Sequence, residues 1–146
     1  MVGSPLVQAL AKLLLLPTLI TAIAFLIKGY GGPGDGFSAA LIAASGVLLQ
    51  YVAFGYRCVE RAMALRYAPA AALGGMAAAL IIAFVPVLRG EPILTHFPPA
   101  GGPVVRLGTV ELNTAFAFDA AVFFLVFGFI VAAISAIVST SRRTER

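Results

Sequence analysis

The sequence predicts an all-α, polytopic membrane protein with four transmembrane helices. Three observations carry that class. Only 11% of the 146 residues are charged, less than half the share in ordinary soluble domains, while 61% are apolar. The apolar residues gather into four runs near the roughly 20 residues that a helix rising ~1.5 Å per residue needs to cross a ~30 Å hydrocarbon core. None of the runs alternates in polarity as a barrel strand would, so backbone groups in lipid must be satisfied within helices. The same figures exclude a soluble globular domain, a disordered chain and a coiled coil. The 15 Gly and 9 Pro follow no period, which excludes collagen and low-complexity readings.

The first span runs over residues 6–28. Lys12 lies six residues into it, placed to snorkel towards the surface along its apolar stem, and Pro17 removes an amide donor one turn later. Lys12, the apolar stretch from Leu13 and Ala22-Ile23-Ala24 also have the form of a secretory signal peptide; the transmembrane reading is retained. The second span, 37–56, is uncharged, with Gln50 and Tyr51 expected to hydrogen-bond across helices. The third, 68–88, is also uncharged, and the fourth, 115–139, carries one carboxylate, Asp119. These spans leave little chain for anything else, so residues 1–146 read as a single integral-membrane domain.

With four spans, both termini and the second loop share a side. That side holds seven basic residues (Lys12, Arg57, Arg61, Arg66, Arg142, Arg143 and Arg146) against three (Lys28, Arg89 and Arg106) opposite. The positive-inside rule places both termini in the cytoplasm. Tyr30, Tyr56 and Tyr67 fall near span ends, as interfacial aromatics do. The net charge of +4 and the pI near 9.7 thus reflect topology and anionic headgroups, with no cluster dense enough for nucleic acid. The single Cys58 has no disulfide or metal-pair partner and reads as an inert thiol at the cytoplasmic surface, with juxtamembrane palmitoylation as the other reading.

Helices in lipid associate through small residues. The third span offers the rows Ala70-Gly74-Ala78 and Ala71-Gly75-Ala79, the fourth Gly128-Ala132-Ala136, and the second Ala39-Ala43 and Ala40-Ala44. Gly74, Gly75, Ala79, Gly128 and Ala132 are the candidate packing residues, and so many small faces read as part of a larger assembly. Six of the eleven Phe lie in the fourth span. Asp119 and Gly128 are nine residues apart, about 180° round the helix, so both faces of this helix need partners.

No HExxH, GxSxG, GxGxxG or Walker loop is present, and Asp35, Glu60, Glu91, Glu111 and Glu145 lack metal-ligand spacing. The expectation is no enzyme, no cofactor and no metal centre. Asp119 is the acidic residue inside a span, where a carboxylate costs about 2.5–3.5 kcal/mol at the bilayer centre on insertion scales. Two readings stand: a proton- or sodium-linked group, since oxygen ligands suit hard cations, or a structural group near its helix N-terminus that caps amides or pairs with Arg106, Lys28 or a partner chain.

The long outer loop before the last span carries Pro92, Pro98, Pro99, Gly101, Gly102 and Pro103. Its second half, 104–113, reads as two short strands about Gly108, a hairpin over the bundle mouth or a docking element. Asn113 or Thr114 is then the cap of the fourth helix. His96 reads as a solvated loop histidine in preference to a ligand or pH sensor. The first outer loop is the sharpest local feature: Gly29, Gly31, Gly32, Pro33, Gly34 and Gly36 form a constrained turn before Phe37 starts the next helix. Asp35 within it is a weaker cation-ligand candidate, because one carboxylate is a poor ligand set.

Gly29-Tyr30 followed by Pro33-Gly34-Asp35-Gly36-Phe37 resembles the B subunit of Mrp-type multisubunit Na+/H+ antiporters, where the stretch reads approximately G-H-x-x-P-G-G-G-F-Q-G-G. Phe118-Asp119, Val122 and Gly128 resemble the family's F-D-x-G-V…V-x-G. Asp35 replaces the middle Gly of the triplet, Ser38-Ala39-Ala40 the Gln-Gly-Gly, and Ala121 the Gly after the Asp. Related domains also occur in the membrane arms of energy-converting hydrogenases. The resemblance implies a hetero-oligomeric complex in a prokaryotic cell membrane, exchanging Na+ for H+ at the expense of the proton-motive force. It also implies large complex I-related partner subunits, small membrane partners, and a role for this chain that is mainly scaffold with a share in the cation path.

Overall fold

A computed structural model describes residues 3–28, 35–59, 66–98, 105–107 and 110–144. Its main elements are α1 (Pro5–Lys28), α2 (Asp35–Phe54), a short α3 (Tyr56–Val59), α4 (Ala68–Phe84) and α5 (Thr114–Thr144). Among the described residues four helical segments, α1, α2, α4 with its extension to Arg89, and α5, are long and apolar enough to cross a membrane.

Each boundary has a local cause. In α1, the hydroxyls of Thr18 and Thr21 donate to the carbonyls of Leu14 and Pro17 at 2.7 and 2.8 Å, so neither is left unpaired in lipid. Lys28 in the last turn suits the negative end of the helix dipole. Helix α2 begins at Asp35, two residues before the expected start, with that carboxylate in its first turn. It ends at Gly55, whose φ of 75° is the left-handed conformation that favours glycine, and whose N–H donates to the Tyr51 carbonyl at 3.0 Å. Helix α4 tightens at Pro86 into a 3-10 turn, Val85–Arg89, and stops at Gly90, with φ of 78°.

The helices stand in the spatial order α1, α2, α5, α4, with contacts running along that row. Helix α2 is therefore flanked on both sides, and Gly36, Ala39, Ala40, Ala43, Ala44, Gly46, Val47, Tyr51 and Ala53 are buried along it. The ends of α1 and α2 are tied by the Gly3 N–H to the Ala53 carbonyl at 3.1 Å, and the Gln50 amide reaches across to the Ala11 carbonyl at 2.8 Å. A cluster of Val47, Tyr51, Val59, Ala68 and Val131, with Phe54, Phe127, Ala132 and Ile134 around it, closes the end near α3. Leu6, Leu13, Leu16 and Ile20 of α1 point outwards, as suits a lipid-facing helix.

Beyond Gly90 the chain folds back on the end of α4. The Leu94 N–H donates to the Ala83 carbonyl at 3.1 Å, and the Thr114 N–H donates to the Phe97 carbonyl at 2.9 Å. Val105–Leu107 (β1) and Val110–Leu112 (β2) pair antiparallel, Val105 opposite Leu112 and Leu107 opposite Val110. Asn113 then caps α5: its Oδ1 accepts the Phe116 N–H at 2.8 Å.

Candidate functional site at the α2–α5 seam

Asp119 stands on the second turn of α5, and the approach of α2 defines its surroundings. A Cβ on Gly36 would collide with the Asp119 carbonyl, so the two backbones touch there. That contact corrects the expectation that Gly36 serves the turn: it is helical, and its missing side chain admits α5 instead of granting a special φ. Asp35, one residue earlier, lies in the first turn of α2. Asp35 and Asp119 are both partly buried, and Phe37 faces outwards. Gly29, Gly31, Gly32, Pro33 and Gly34 lie outside the described residues.

The segment returning from α4 reaches the start of α5. Thr114 Oγ1 accepts the Phe97 N–H at 2.7 Å and lies 3.4 Å from His96 Nδ1. The Arg89 guanidinium stands over the Phe97 ring at 5.4 Å. Among the described residues no three His, Cys, Asp or Glu side chains are grouped to hold a metal ion.

The small-residue rows are used unequally. A Cβ on Gly75 would meet the Leu125 amide nitrogen and the Ala121 carbonyl of α5, and one on Gly128 would meet Ala68 and Ala72 of α4. These two glycines bring α4 and α5 into backbone contact, with Ala79 and Ala132 partly buried nearby. Gly74, about 100° round α4, has open space before it and takes no part in that contact. It lines an open, largely apolar groove of about 540 Å³ together with Ala71, Ala78, Ala117 and Phe124. The Gly128 face of α5 thus meets α4 while the Asp119 side meets α2. Phe123 stacks on Phe127 with centroids 5.7 Å apart.

At the other end, Lys12 Nζ stands 5.4 Å over the Phe54 ring, and Cys58 is exposed on α3. Local sequence named Asp119 and Asp35 as separate candidates. It missed that His96 lies against Thr114, because that contact spans 18 residues.

Comparison with known proteins places these features in a wider group. Residues 6–132 match the family described as a domain related to the MnhB subunit of Na+/H+ antiporter. The chain is 33% identical over 124 residues to the B subunit of the Na+/H+ antiporter of Alkalihalophilus pseudofirmus, covering 78% of this chain and 84% of that protein. It is 30% identical over 122 residues to the B subunit of the Na+/H+ antiporter of Bacillus subtilis, covering 83% of each. The A/B subunit of a probable K+/H+ antiporter of Rhizobium meliloti is 36% identical over 133 residues, which make up 88% of this chain and 12% of that protein.

Proposed function

The chain belongs to the family of domains related to the MnhB subunit of Na+/H+ antiporters, and from that premise we propose how it serves such a complex. It is a multi-pass membrane subunit of a multisubunit Na+/H+ antiporter. The observation that carries this is the extent of the likeness, which begins in the first turn of α1 and continues into α5, over most of the length of two antiporter relatives. A membrane-arm component of a redox complex such as an energy-converting hydrogenase is not favoured, because these relatives are named for antiporters.

In finer terms, the protein sits in the plasma membrane of a prokaryote with both termini in the cytoplasm, and exchange is driven by the proton-motive force. It is mainly scaffold, spanning residues 1–146 as one domain. The β1–β2 pair covers the outer mouth or docks a neighbouring chain. Large complex I-related subunits and small membrane subunits are its partners; the Rhizobium meliloti relative, which carries the similar stretch inside a much longer chain, supports a large one. The row through Gly74 packs against one of these partners.

Asp119 is the ion-handling residue, with Asp35 as its helper. Replacing Asp119 with Asn keeps the shape and removes the charge. The complex is expected to assemble at wild-type yield and to lose Na+-dependent proton movement in everted vesicles, with K+ assayed alongside. Full exchange in this variant would reject the ion role, and loss of assembly would assign Asp119 to structure.

A further inference from the structure

Past Phe84 the chain leaves the α-helix but keeps an apolar surface. Val85, Val87, Leu88, Ile93 and Leu94 are exposed, Leu88 at 88%. They continue a stripe that starts within α4. Exposed Leu73, Leu80 and Phe84 lie within about 40° of one another, and about 140–180° from Gly75, which is pressed on α5. Helices in lipid meet one another through small residues, and α4 carries Gly74 and Gly75 away from this stripe. The stripe has the composition of a side that faces acyl chains.

Three features set residues 85–95 apart from a loop in water. The first is the backbone. Pro86 and Pro92 have no N–H to satisfy, and the N–H groups of Gly90, Glu91, Leu94 and Thr95 donate to the carbonyls of Val87, Pro86, Ala83 and Pro92 at 3.0–3.2 Å. The Thr95 hydroxyl donates to the Pro92 carbonyl as well, at 2.6 Å. Such internal pairing is what non-helical backbone needs where water is scarce. The second is Leu94, whose φ of 63° is a left-handed conformation that suits glycine, and which is 43% exposed. Neither the turn nor a protein core accounts for a leucine there, whereas apolar surroundings outside the chain do. The third is charge. Arg89 is exposed, with its guanidinium 5.4 Å over the Phe97 ring, while Glu91 has its Oε2 buried. The charge shown beside the apolar patch is therefore cationic, complementary to a lipid phosphate.

We propose that residues 85–95 are a lipid-binding anchor at the membrane surface. Val87, Leu88, Ile93 and Leu94 enter the boundary between headgroups and acyl chains, and Arg89 stands against a phosphate. The occupant of this apolar surface is the bilayer, in continuity with the lipid-facing stripe of α4. The segment then runs into Phe97, whose N–H donates to the Thr114 hydroxyl and whose carbonyl accepts the Thr114 N–H. Anchoring it sets the depth of the end of α4 and of the start of α5 together. The proposal rests on the membrane-spanning reading of α4 and is independent of any role for Asp119.

The test uses the complete complex, with cysteine-free partner subunits, in proteoliposomes of phosphatidylcholine and phosphatidylglycerol. Leu88→Cys and Ile93→Cys, each in a Cys58→Ser background, carry a nitroxide label, and Leu80→Cys within α4 supplies the lipid reference. Spin relaxation is measured with oxygen, which concentrates in lipid, and with a water-soluble nickel chelate. Labels at 88 and 93 are expected to respond more to oxygen than to nickel, with the label at 80 the deepest. A stronger response to nickel at both sites would make the segment an aqueous loop, and weak responses to both reagents would assign it to a partner chain. Either result overturns the proposal. Failure of both variants to assemble would do so too, since positions facing fluid lipid tolerate a label. Nickel access at 80 would overturn the span reading and this proposal together, whereas lipid exposure at 80 with water or a partner at 88 and 93 overturns this proposal alone.

Discussion

Asn113 and Thr114 sit side by side and take different tasks. Asn113 caps α5 through Phe116, whereas Thr114 clasps Phe97 from a segment 17 residues upstream. Cap spacing is local, so both residues were legible as candidates; the clasp is not, because nothing near Thr114 in sequence announces Phe97. His96 follows the same logic: it is an exposed loop residue, and its contact with Thr114 is set by the fold and not by neighbouring sequence. Asn113→Ala is expected to cost about 1 kcal/mol, seen as a lower thermal midpoint of the detergent-solubilised protein, with Asn113→Ser close to wild type. An unchanged midpoint in the Ala variant would remove the cap from the account. Gly36 shows the opposite limit of sequence reading. A glycine-rich turn preceding Phe37 was visible, yet the position of Gly36 inside α2 depends on the close approach of Asp119.

At the scale of elements, α4 and α5 form the tightest pair, and two glycines make it so. Leu at position 75 would drive its side chain into the Ala121–Leu125 backbone, where neither chain can yield cheaply. Overpacking of this kind costs about 1–3 kcal/mol or more, so Gly75→Leu is expected to lower both the thermal midpoint and the yield of complex. Gly74→Leu faces open space and is expected to leave the midpoint of the isolated protein unchanged while reducing complex yield. Equal effects on both measurements would show that the two faces of α4 are not distinct. Spacing of four identified both rows, but the choice between them is a tertiary matter, since rows 100° apart look alike in sequence. The spans were legible to within a few residues from length and hydropathy. Their ends shifted where Gly55, Pro86 and the Asn113 cap imposed local geometry.

For the whole molecule, charge asymmetry predicts which face is cytoplasmic, and Cys58 offers a direct check. It is the single cysteine and is exposed on α3. A membrane-impermeant maleimide is expected to label it in everted vesicles and to leave it unlabelled in intact cells; the reverse pattern would invert the topology. Helix α5, with 31 residues, extends about 46 Å at ~1.5 Å each, longer than a ~30 Å hydrocarbon core. The order α1, α2, α5, α4 was beyond sequence reading, because all four helices are apolar nearly all round. That order has a consequence for how the chain meets its surroundings. Four helices in a row make a fence, and among the described residues no charged side chain is fully buried within it. A fence, unlike a closed bundle, offers lipid or a neighbouring chain two broad sides as well as two ends.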